Sequence, residues 1–306
     1  MRRIAYLLSA DVCPGRENRR EDYWEVEGEL NALAEAGADC GFELVPAVWD
    51  EARDWSRFEA AIVRGTWDLM QKTDRFLPGM EAIAAQTRLL NPLPTLQRNY
   101  YKSYLPDLDA AGAPVPETII AERATPEAAE QAFARFGGER LVVKPLIGAS
   151  SWRQALIRRG EPFPEADSLP PGRCLIQPYL ESVAREGETT LLYFNGAFSH
   201  ALVKRPAAGD YRTQALYGAR EEGVTPDAAQ IEAAEKALAA WGEDLLYARV
   251  DLVKGAAGEW LVMELELIEP YLYLPFAQDG EAAAARRFTA ALETRLASEA
   301  LGSAAE

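Results

Sequence analysis

The sequence predicts an α/β fold in which a small parallel sheet is followed by antiparallel sheet, and two observations support this prediction. Residues 4–8, 42–48 and 60–63 are short apolar segments typical of buried strands, and residues 22–36 have the spacing of an amphipathic helix. Alternating strand and helix indicate a parallel unit. Further along, pairs of alternating apolar and polar segments are joined by short glycine-containing turns, which indicates antiparallel hairpins.

Proline marks the first domain boundary. The stretch Asn91-Pro92-Leu93-Pro94 interrupts regular structure, so residues 1–95 are expected to form an N-terminal α/β domain. Residues 96–180 are expected to form a central domain, and residues 181–306 a C-terminal domain that contains the hairpins. A chain of 306 residues is long enough for two or three compact domains.

The central domain is predicted to mix helices with short strands. A helix is expected at 99–111, ending before Gly112, and strands at 118–121, 141–144 and 174–177. A second helix begins at Thr125-Pro126-Glu127, where proline occupies the first helical position, and ends at Gly137-Gly138. Residues 147–172 mix Gly, Ser, Arg and Pro and are expected to form a turn, a short strand and a loop.

The C-terminal domain is predicted from two hairpins and two helices. Residues 191–204 form a hairpin whose Asn195-Gly196 turn is typical of type I′. An Ala- and Glu-rich helix is expected at 226–241 and a final helix at 280–298, with the second hairpin between them.

The second hairpin brings carboxylates together. Both of its strands alternate at period two, so Asp251, Glu264 and Glu266 share a face with Arg249. A turn centred between Ala257 and Gly258 would set Asp251 opposite Glu264 and Arg249 opposite Glu266. Opposed carboxylates repel unless a cation or protonation relieves the charge, and Mg²⁺ prefers such oxygen ligands. An ordinary solvated strand face is the alternative.

The charge of the chain limits its partners. It contains 48 Asp and Glu against 32 Lys and Arg, a formal net charge of −16. Broad attraction to nucleic acid or an anionic membrane is therefore not expected, and an anionic small molecule would need a local cationic pocket.

The cysteines indicate a reducing compartment. Cys13, Cys40 and Cys174 are far apart and lack metal-ligand spacing, so we expect buried thiols in a cytoplasmic protein. The N-terminal segment does not resemble a signal peptide, and no apolar run reaches membrane-spanning length.

Several catalytic motifs are absent from the sequence. There is no GxxxxGK[ST] loop and no convincing GxGxxG, so neither a P-loop nor a Rossmann dinucleotide site is supported. His200 is the only histidine and lies inside a predicted strand, where a packed structural histidine is expected rather than the base of a catalytic triad.

Two lysines are candidates for binding phosphate. Lys144 ends an apolar strand just before a turn that contains Gly148, Ser150 and Ser151, where an ammonium and backbone N–H groups can converge on phosphate oxygens. Lys102 lies in the first helix predicted after Pro94. For both residues the alternative is a lysine whose charged end simply reaches solvent.

In combination these features resemble the ordered motif set of ATP-grasp enzymes. Lys102, the segment from Gly112 to Thr118, Lys144, the segment from Gln177 to Leu180, and finally Asp251 with Glu264 occur in the expected order across about residues 60–275. The resemblance is closest to the glutathione synthetase-like branch and to amino-acid ligases and cyclo-ligases of the cycloserine-biosynthesis type. It implies an ATP-grasp fold with a pre-ATP-grasp N-terminal domain, a lid-bearing central domain and a C-terminal domain that holds the metal.

The resemblance also implies a role for each matching residue. Residues that bind ATP would be Lys102, Lys144, Ser150 and Ser151 at the phosphates, Gln177, Tyr179 and Leu180 at the adenine, and Glu188 at the ribose. Asp251, Glu264 and Glu266 would bind two Mg²⁺ ions, although many relatives have asparagine at the position of Glu266. Trp152 and Arg153 also depart from the glycine-richer phosphate loop of the family.

The implied activity is an ATP-dependent ligation of a small-molecule carboxylate to an amine. Attack of the carboxylate on the γ-phosphate would form an acyl phosphate, and the amine would displace phosphate, releasing ADP and phosphate. Closure within one molecule, as in a cyclo-ligase, is the nearest variant, and a homodimer is the family-level expectation. A small-molecule kinase on the same scaffold and a non-catalytic ATP-binding protein are the alternatives.

Basic residues outside the nucleotide motifs are candidates for the substrate site. Arg212 is the first choice for stabilising the acyl phosphate and Arg249 the second, although Arg249 could equally form a structural ion pair with Glu266. Lys204 and Arg205 resemble a basic segment that faces substrate in this branch. Arg64 follows the third strand, and ligands of open α/β sheets often bind at such strand ends.

Overall fold

The computed structural model describes residues 1–148, 151–207, 210, 212–213 and 217–302, with side chains described as far as residue 297. Within these residues the fold class predicted from the sequence is confirmed, because a parallel sheet precedes two antiparallel sheets. None of the described helices combines the length and the apolar composition that crossing a membrane would require.

The N-terminal unit is a four-stranded parallel sheet in the order β2-β1-β3-β4. Its elements are β1 (Arg2–Leu8), α1 (Tyr23–Asp39), β2 (Phe42–Val48), β3 (Ala60–Gly65), α2 (Phe76–Ala84) and β4 (Arg88–Leu90). The prediction that α1 ends before Gly37 is wrong. Gly41, with a φ of 77°, makes the left-handed turn that follows the helix instead.

Two short helices link this unit to the central sheet, α3 (Leu93–Asn99) and α4 (Tyr104–Ala110). The single helix predicted over 99–111 is therefore wrong, and Lys102 lies in the turn between the two helices. Tertiary hydrogen bonds account for the break. The Lys102 N–H donates to the Leu146 carbonyl at 2.8 Å, and the Asn99 side chain donates to the Leu265 carbonyl at 2.8 Å.

The central unit is an antiparallel sheet in the order β5-β8-β6-β7. It consists of β5 (Ile119–Ala121), α5 (Pro126–Phe136), β6 (Arg140–Pro145), β7 (Ala155–Arg158) and β8 (Cys174–Pro178). The α5 prediction is confirmed at both ends, since the Thr125 side chain accepts the Ala128 N–H and Gly137 follows the helix at a φ of 71°. Phe133 and Ile176 belong to an apolar cluster that is confined to this unit.

The C-terminal unit is a five-stranded antiparallel sheet in the order β11-β10-β9-β12-β13. Its elements are α6 (Glu181–Glu186), β9 (Glu188–Phe194), β10 (Ala197–Arg205), β11 (Arg220–Val224), α7 (Ala228–Trp241), β12 (Tyr247–Lys254), β13 (Trp260–Glu266) and α8 (Glu281–Gly302). The turn between β9 and β10 has φ values of 49° at Asn195 and 77° at Gly196, which confirms the predicted type I′ conformation.

The N-terminal and C-terminal sheets share one apolar core. Tyr6 of β1, Tyr247 of β12 and Phe288 of α8 belong to the same buried cluster, in which the rings of Phe194 and Phe288 meet edge to face at 5.3 Å. This shared core packs the two sheets against each other. The boundaries between the three domains stay predictions.

Candidate active site

A cavity of about 600 Å³ lies where the three units meet. This volume falls within the range of about 300–1,000 Å³ that is usual for small-molecule sites. Nine residues predicted from the sequence line its wall: Lys102, Lys144, Ser151, Glu188, Lys204, Arg249, Asp251, Glu264 and Glu266. The tertiary structure thus brings together side chains that lie as far as 164 positions apart in the chain.

The hairpin of β12 and β13 supplies the predicted metal ligands. Asp251 pairs with Glu264 and Arg249 with Glu266, as the alternation of the two strands predicted. Nearer the turn, however, Leu252 pairs with Val262, so Met263 is an extra residue in β13. Without this bulge Met263 would face Asp251, and the Glu264 side chain would point to the other side of the sheet. Near the turn the pairing differs by one residue from the predicted register, and the bulge removes this difference, so the predicted register is correct at the acids.

Basic side chains hold Asp251 in its ionised form. Arg249 donates to Asp251 at 2.9 Å, the Lys204 ammonium lies 3.4 Å from the same carboxylate, and Thr190 donates to its other oxygen at 2.6 Å. Burial by itself would raise the pKa of Asp251, but the charges of Arg249 and Lys204 reverse this effect and lower the pKa below its ordinary value. Asp251 is therefore a permanent negative charge in the cavity wall.

Two neighbouring acids, Glu266 and Glu188, have raised pKa values. Burial raises the pKa of Glu266 to about 7, although its ion pair with Arg249 acts in the opposite direction and the neighbouring Glu264 adds to the rise. Burial likewise raises the pKa of Glu188, even though Lys204 contacts its carboxylate. Both carboxyls would ionise more readily if a further cation entered the cavity.

The two predicted phosphate lysines converge on β13. Lys102 forms an ion pair with Glu264, and the Nζ of Lys144 lies 3.0 Å from the sulfur of Met263. Burial lowers the pKa of Lys144. A thioether is only a weak hydrogen-bond acceptor, so the Lys144 ammonium remains available for an anionic ligand in the cavity.

Only part of the predicted phosphate loop can be placed. Ser151 lines the cavity and has a φ of 56°, and the half-exposed Trp152 lies beside it at the rim. Ser150 lies outside the described residues. The closure of this loop over a phosphate stays a prediction.

The predicted adenine segment lies away from the cavity wall. The buried Gln177 side chain donates to the Thr118 hydroxyl at 2.9 Å, and the Tyr179 N–H donates to the Arg140 carbonyl at 3.1 Å. Leu180 is the extended residue that precedes α6. Among the described residues of the wall, none comes from this segment. Its contact with adenine stays a prediction.

Three arginines predicted at the substrate site do not line the cavity either. Arg64 is buried in an ion pair with Glu29 at 2.9 Å and also donates to the Pro270 carbonyl. Arg205 is exposed and pairs with Glu222 at 3.0 Å, and Arg212 pairs with Asp210 at 2.7 Å. Contact of these side chains with substrate stays a prediction, and the geometry of Arg64 is that of a structural residue.

Sequence reasoning missed several residues that line the wall or that contact a residue of the wall. Thr190 bonds Asp251 because β9 pairs with β12 at this position, and no local pattern signals that pairing. Glu25 of α1 and Glu221 of β11 reach the cavity from two other elements. Glu269 follows Glu266 by three residues, and the repetition of acids along this segment was a signal that could have revealed it.

The cavity wall carries an excess of acids. Its five basic side chains are Arg20, Lys102, Lys144, Lys204 and Arg249. Its nine carboxyl side chains are Glu21, Asp22, Glu25, Glu188, Glu221, Asp251, Glu264, Glu266 and Glu269. Crowding and burial raise the pKa of some of them, and that of Glu25 reaches about 7. An anionic ligand could enter such a cavity only together with additional cations.

The donor set fits Mg²⁺ in its chemistry. Asp251, Glu264 and Glu266 present carboxylate oxygens, the ligands that this hard cation prefers, on one face of the hairpin. Within the described part of the chain, no group of three or more His, Cys, Asp or Glu side chains is arranged around a single point. Each of these three acids instead contacts a base, so at least the ion pair of Lys102 with Glu264 would have to open when a metal binds.

Comparisons with known proteins agree with this architecture. The family model for the N-terminal domain of D-cycloserine synthetase DcsG matches residues 4–91. The cycloserine biosynthesis protein DcsG of Streptomyces lavendulae is 36% identical over 287 residues, which cover 89% of this chain and 95% of that protein.

Solved structures are similar over almost the whole chain. The crystal structure of D-cycloserine synthetase DcsG has a TM-score of 0.79 and 31% identity, covering 96% of this chain and 99% of that one. The ATP-grasp ligase PsnB, in complex with minimal precursor, Mg and ADP, has a TM-score of 0.59 and 17% identity, covering 94% and 96%. The second similarity concerns the fold alone.

Proposed function

Because this chain belongs to the D-cycloserine synthetase family of ATP-grasp ligases, and is therefore an ATP-dependent enzyme that forms carbon–nitrogen bonds, we propose that it activates a carboxylate as an acyl phosphate with Mg²⁺ at the hairpin acids. The observation that carries the proposal is the convergence of Lys102 and Lys144 on the face of β13 that presents Glu264 and Glu266.

The charge of the cavity supports the use of metal. Nucleotide phosphates and a substrate carboxylate are all anions, and the wall already carries more carboxyl than basic side chains. Bound Mg²⁺ would neutralise the approaching anions and the charge that develops on the transferred phosphoryl group. Asp251, Glu264 and Glu266 are the residues that would hold it.

The basic residues of the wall have separate tasks in this proposal. Lys102, once released from Glu264, and Lys144 bind phosphate oxygens as point charges. Arg249 is held by Asp251 and Glu266 and lines the cavity, where its guanidinium charge can stabilise the acyl phosphate. Lys204, fixed between Glu188 and Asp251, favours the ionised form of both acids.

The cavity needs no nucleophilic side chain for this reaction. Displacement of phosphate from an acyl phosphate by an amine depends on alignment and on exclusion of water. His200 is bound to the Leu272 carbonyl at 2.8 Å and is not among the residues that line the cavity, in agreement with its predicted structural role. Closure of a ring within one molecule is the form of ligation that we favour, because the similar proteins are named for cycloserine synthesis.

Release of ADP in the presence of Mg²⁺ tests the proposal directly. Each D- and L-amino acid is supplied as the carboxylate, alone or with hydroxylamine or a second amino acid as the amine. We expect Lys144→Ala to lose at least about 100-fold in activity, the size typical for removal of one transition-state donor. Lys236→Ala serves as the control, because Lys236 is exposed on α7 and pairs only with Glu232.

Two results would contradict this assignment. Full activity in Lys144→Ala or in Glu264→Gln would show that the phosphates and metal bind elsewhere. Transfer of phosphate to a hydroxyl, without amine-dependent release of free phosphate, would instead identify a kinase on the same scaffold.

A further inference from the structure

Glu269 is a carboxyl group in the cavity wall to which the proposed mechanism assigns no task. It lies three residues beyond Glu266, on the chain that continues from β13. Its Oε2 atom is buried and has no hydrogen-bond partner among the described residues. A buried carboxyl oxygen without a partner costs free energy, which makes it a candidate for a group that acts on a ligand.

The segment that carries Glu269 is held rigidly by its backbone. Four buried side chains hold this backbone on both sides of Glu269. Asn91 donates to the Leu267 carbonyl at 2.9 Å, and Asn99 accepts the Leu267 N–H at 3.0 Å. Tyr247 donates to the Ile268 carbonyl at 2.9 Å, and Arg64 donates to the Pro270 carbonyl. Arg64 is itself anchored by Glu29, which also accepts the Leu272 N–H at 2.9 Å. Such fixation positions a functional side chain in advance of binding.

The charges around Glu269 place it beside the predicted reaction centre. Burial raises the pKa of Glu269 to about 8, and Glu266 adds to the rise. Lys102, Arg64 and Arg249 act in the opposite direction, and the Tyr100 hydroxyl is a further titratable neighbour. Glu269 therefore lies between the proposed Mg²⁺ ligand Glu266 and Arg64 of the N-terminal unit. A carboxyl group with these neighbours can exchange a proton near neutral pH.

We propose that Glu269 is the catalytic residue that accepts the proton of the attacking amine. The nitrogen lone pair forms the bond to the acyl carbon, the bond from that carbon to the phosphate oxygen breaks, and phosphate leaves with the electron pair. One proton passes from the nitrogen to the unpartnered Oε2 of Glu269. This inference rests on the proposed ligase function and defines the second substrate group as a basic nitrogen that carries at least one hydrogen.

Glu269→Gln separates this role from a structural one. Glutamine keeps the shape and can still form hydrogen bonds, but it cannot take the proton. Glu259→Gln is the matched control, since Glu259 is exposed at the turn of the same hairpin. Thermal unfolding and ADP binding of both variants are measured beside the wild type, and both properties are expected to remain unchanged.

Two nitrogen nucleophiles provide the decisive comparison. Hydroxylamine is largely unprotonated at neutral pH and traps an acyl phosphate as a hydroxamate without an enzymatic base, whereas the amine of an amino acid needs one. We expect Glu269→Gln to form the amide or ring about 100-fold more slowly, the lower range for a general base. Hydroxamate formation should stay within about threefold of wild type.

The outcomes distinguish this inference from the function on which it rests. If wild-type enzyme releases no ADP with any amino acid and hydroxylamine, the ligase proposal fails and the inference fails with it. If wild type is active and Glu269→Gln forms amide equally fast, or loses hydroxamate and amide to the same extent, only the inference is overturned.

Discussion

Lowering the pH from 8 to 5 should destabilise this protein through its single histidine. In the folded chain His200 is buried in β10, where Nε2–H donates to the Leu272 carbonyl at 2.8 Å and Nδ1 accepts from the Ser199 hydroxyl at 2.9 Å. Arg287 in turn donates to that hydroxyl at 2.9 Å. Burial, together with the charge of Arg287, lowers the pKa of His200 from 6.5 to about 4.

The size and the sign of the effect follow from this shift. The unfolded chain binds a proton at His200 below pH 6.5, whereas the folded chain does so only below about pH 4. The stabilisation is therefore complete above pH 6.5 and is lost as the pH falls through the window from 6.5 to 4. The loss attributable to His200 is about 2 kcal/mol at pH 5 and about 3 kcal/mol at pH 4.

His200→Gln isolates this contribution from the titration of the many carboxyl groups. Glutamine can donate to the Leu272 carbonyl but does not titrate, so the difference in unfolding free energy between the two proteins should shrink by about 2 kcal/mol between pH 8 and pH 5. Urea unfolding at each pH measures this difference. The ring C2 proton of His200 gives one NMR signal, because the sequence contains one histidine. A titration midpoint between pH 6 and 7 in the folded protein would refute the reasoning.

Three further changes test the structural roles of single residues. Gly196→Ala should lower the free energy of unfolding by about 1 kcal/mol, because the φ of Gly196 is 77°. Gly172→Ala is the control: its φ is not positive and an added Cβ meets nothing within 4 Å, so the free energy of unfolding in urea should not change. Arg64→Met should lower the free energy of unfolding by about 3–5 kcal/mol, because it leaves Glu29 as a buried charge without its ion-pair partner. A raised KM with unchanged stability would show a substrate contact instead. Thr190→Val should lower the free energy of unfolding by about 1–3 kcal/mol and raise the Mg²⁺ concentration for half-maximal activity, because Asp251, a proposed Mg²⁺ ligand, loses a hydrogen-bond donor. An unchanged Mg²⁺ titration would exclude this link.

Local patterns were sufficient to predict the elements whose conformation depends on neighbouring residues. The type I′ turn at Asn195-Gly196 and the limits of α5 follow from residues that prefer those backbone angles or cap the helix, and both are confirmed. The shared face of Asp251 and Glu264 follows from the two-residue period of a strand, although the bulge at Met263 could not be predicted.

Other features depend on segments that meet only in the folded chain. The break between α3 and α4 arises because Lys102 and Asn99 form hydrogen bonds to backbone carbonyls of distant segments, which outweighs the local preference for one continuous helix. Arg64 lies within β3, next to the last residue of the strand, and it pairs with Glu29 and the Pro270 carbonyl instead of lining the cavity as predicted for a ligand contact. No local pattern contains this information.

The sequence by itself determined the fold class, the order of the motifs and the opposition of Asp251 and Glu264, because backbone preferences and strand periodicity act over a few residues. Only the tertiary structure decided which charges meet. It joins Lys102 to Glu264 across 162 positions and Thr190 to Asp251 across 61, and among the described residues it leaves one oxygen of Glu269 without a hydrogen-bond partner. These encounters depend on how the three sheets pack, and packing is a property of the whole chain.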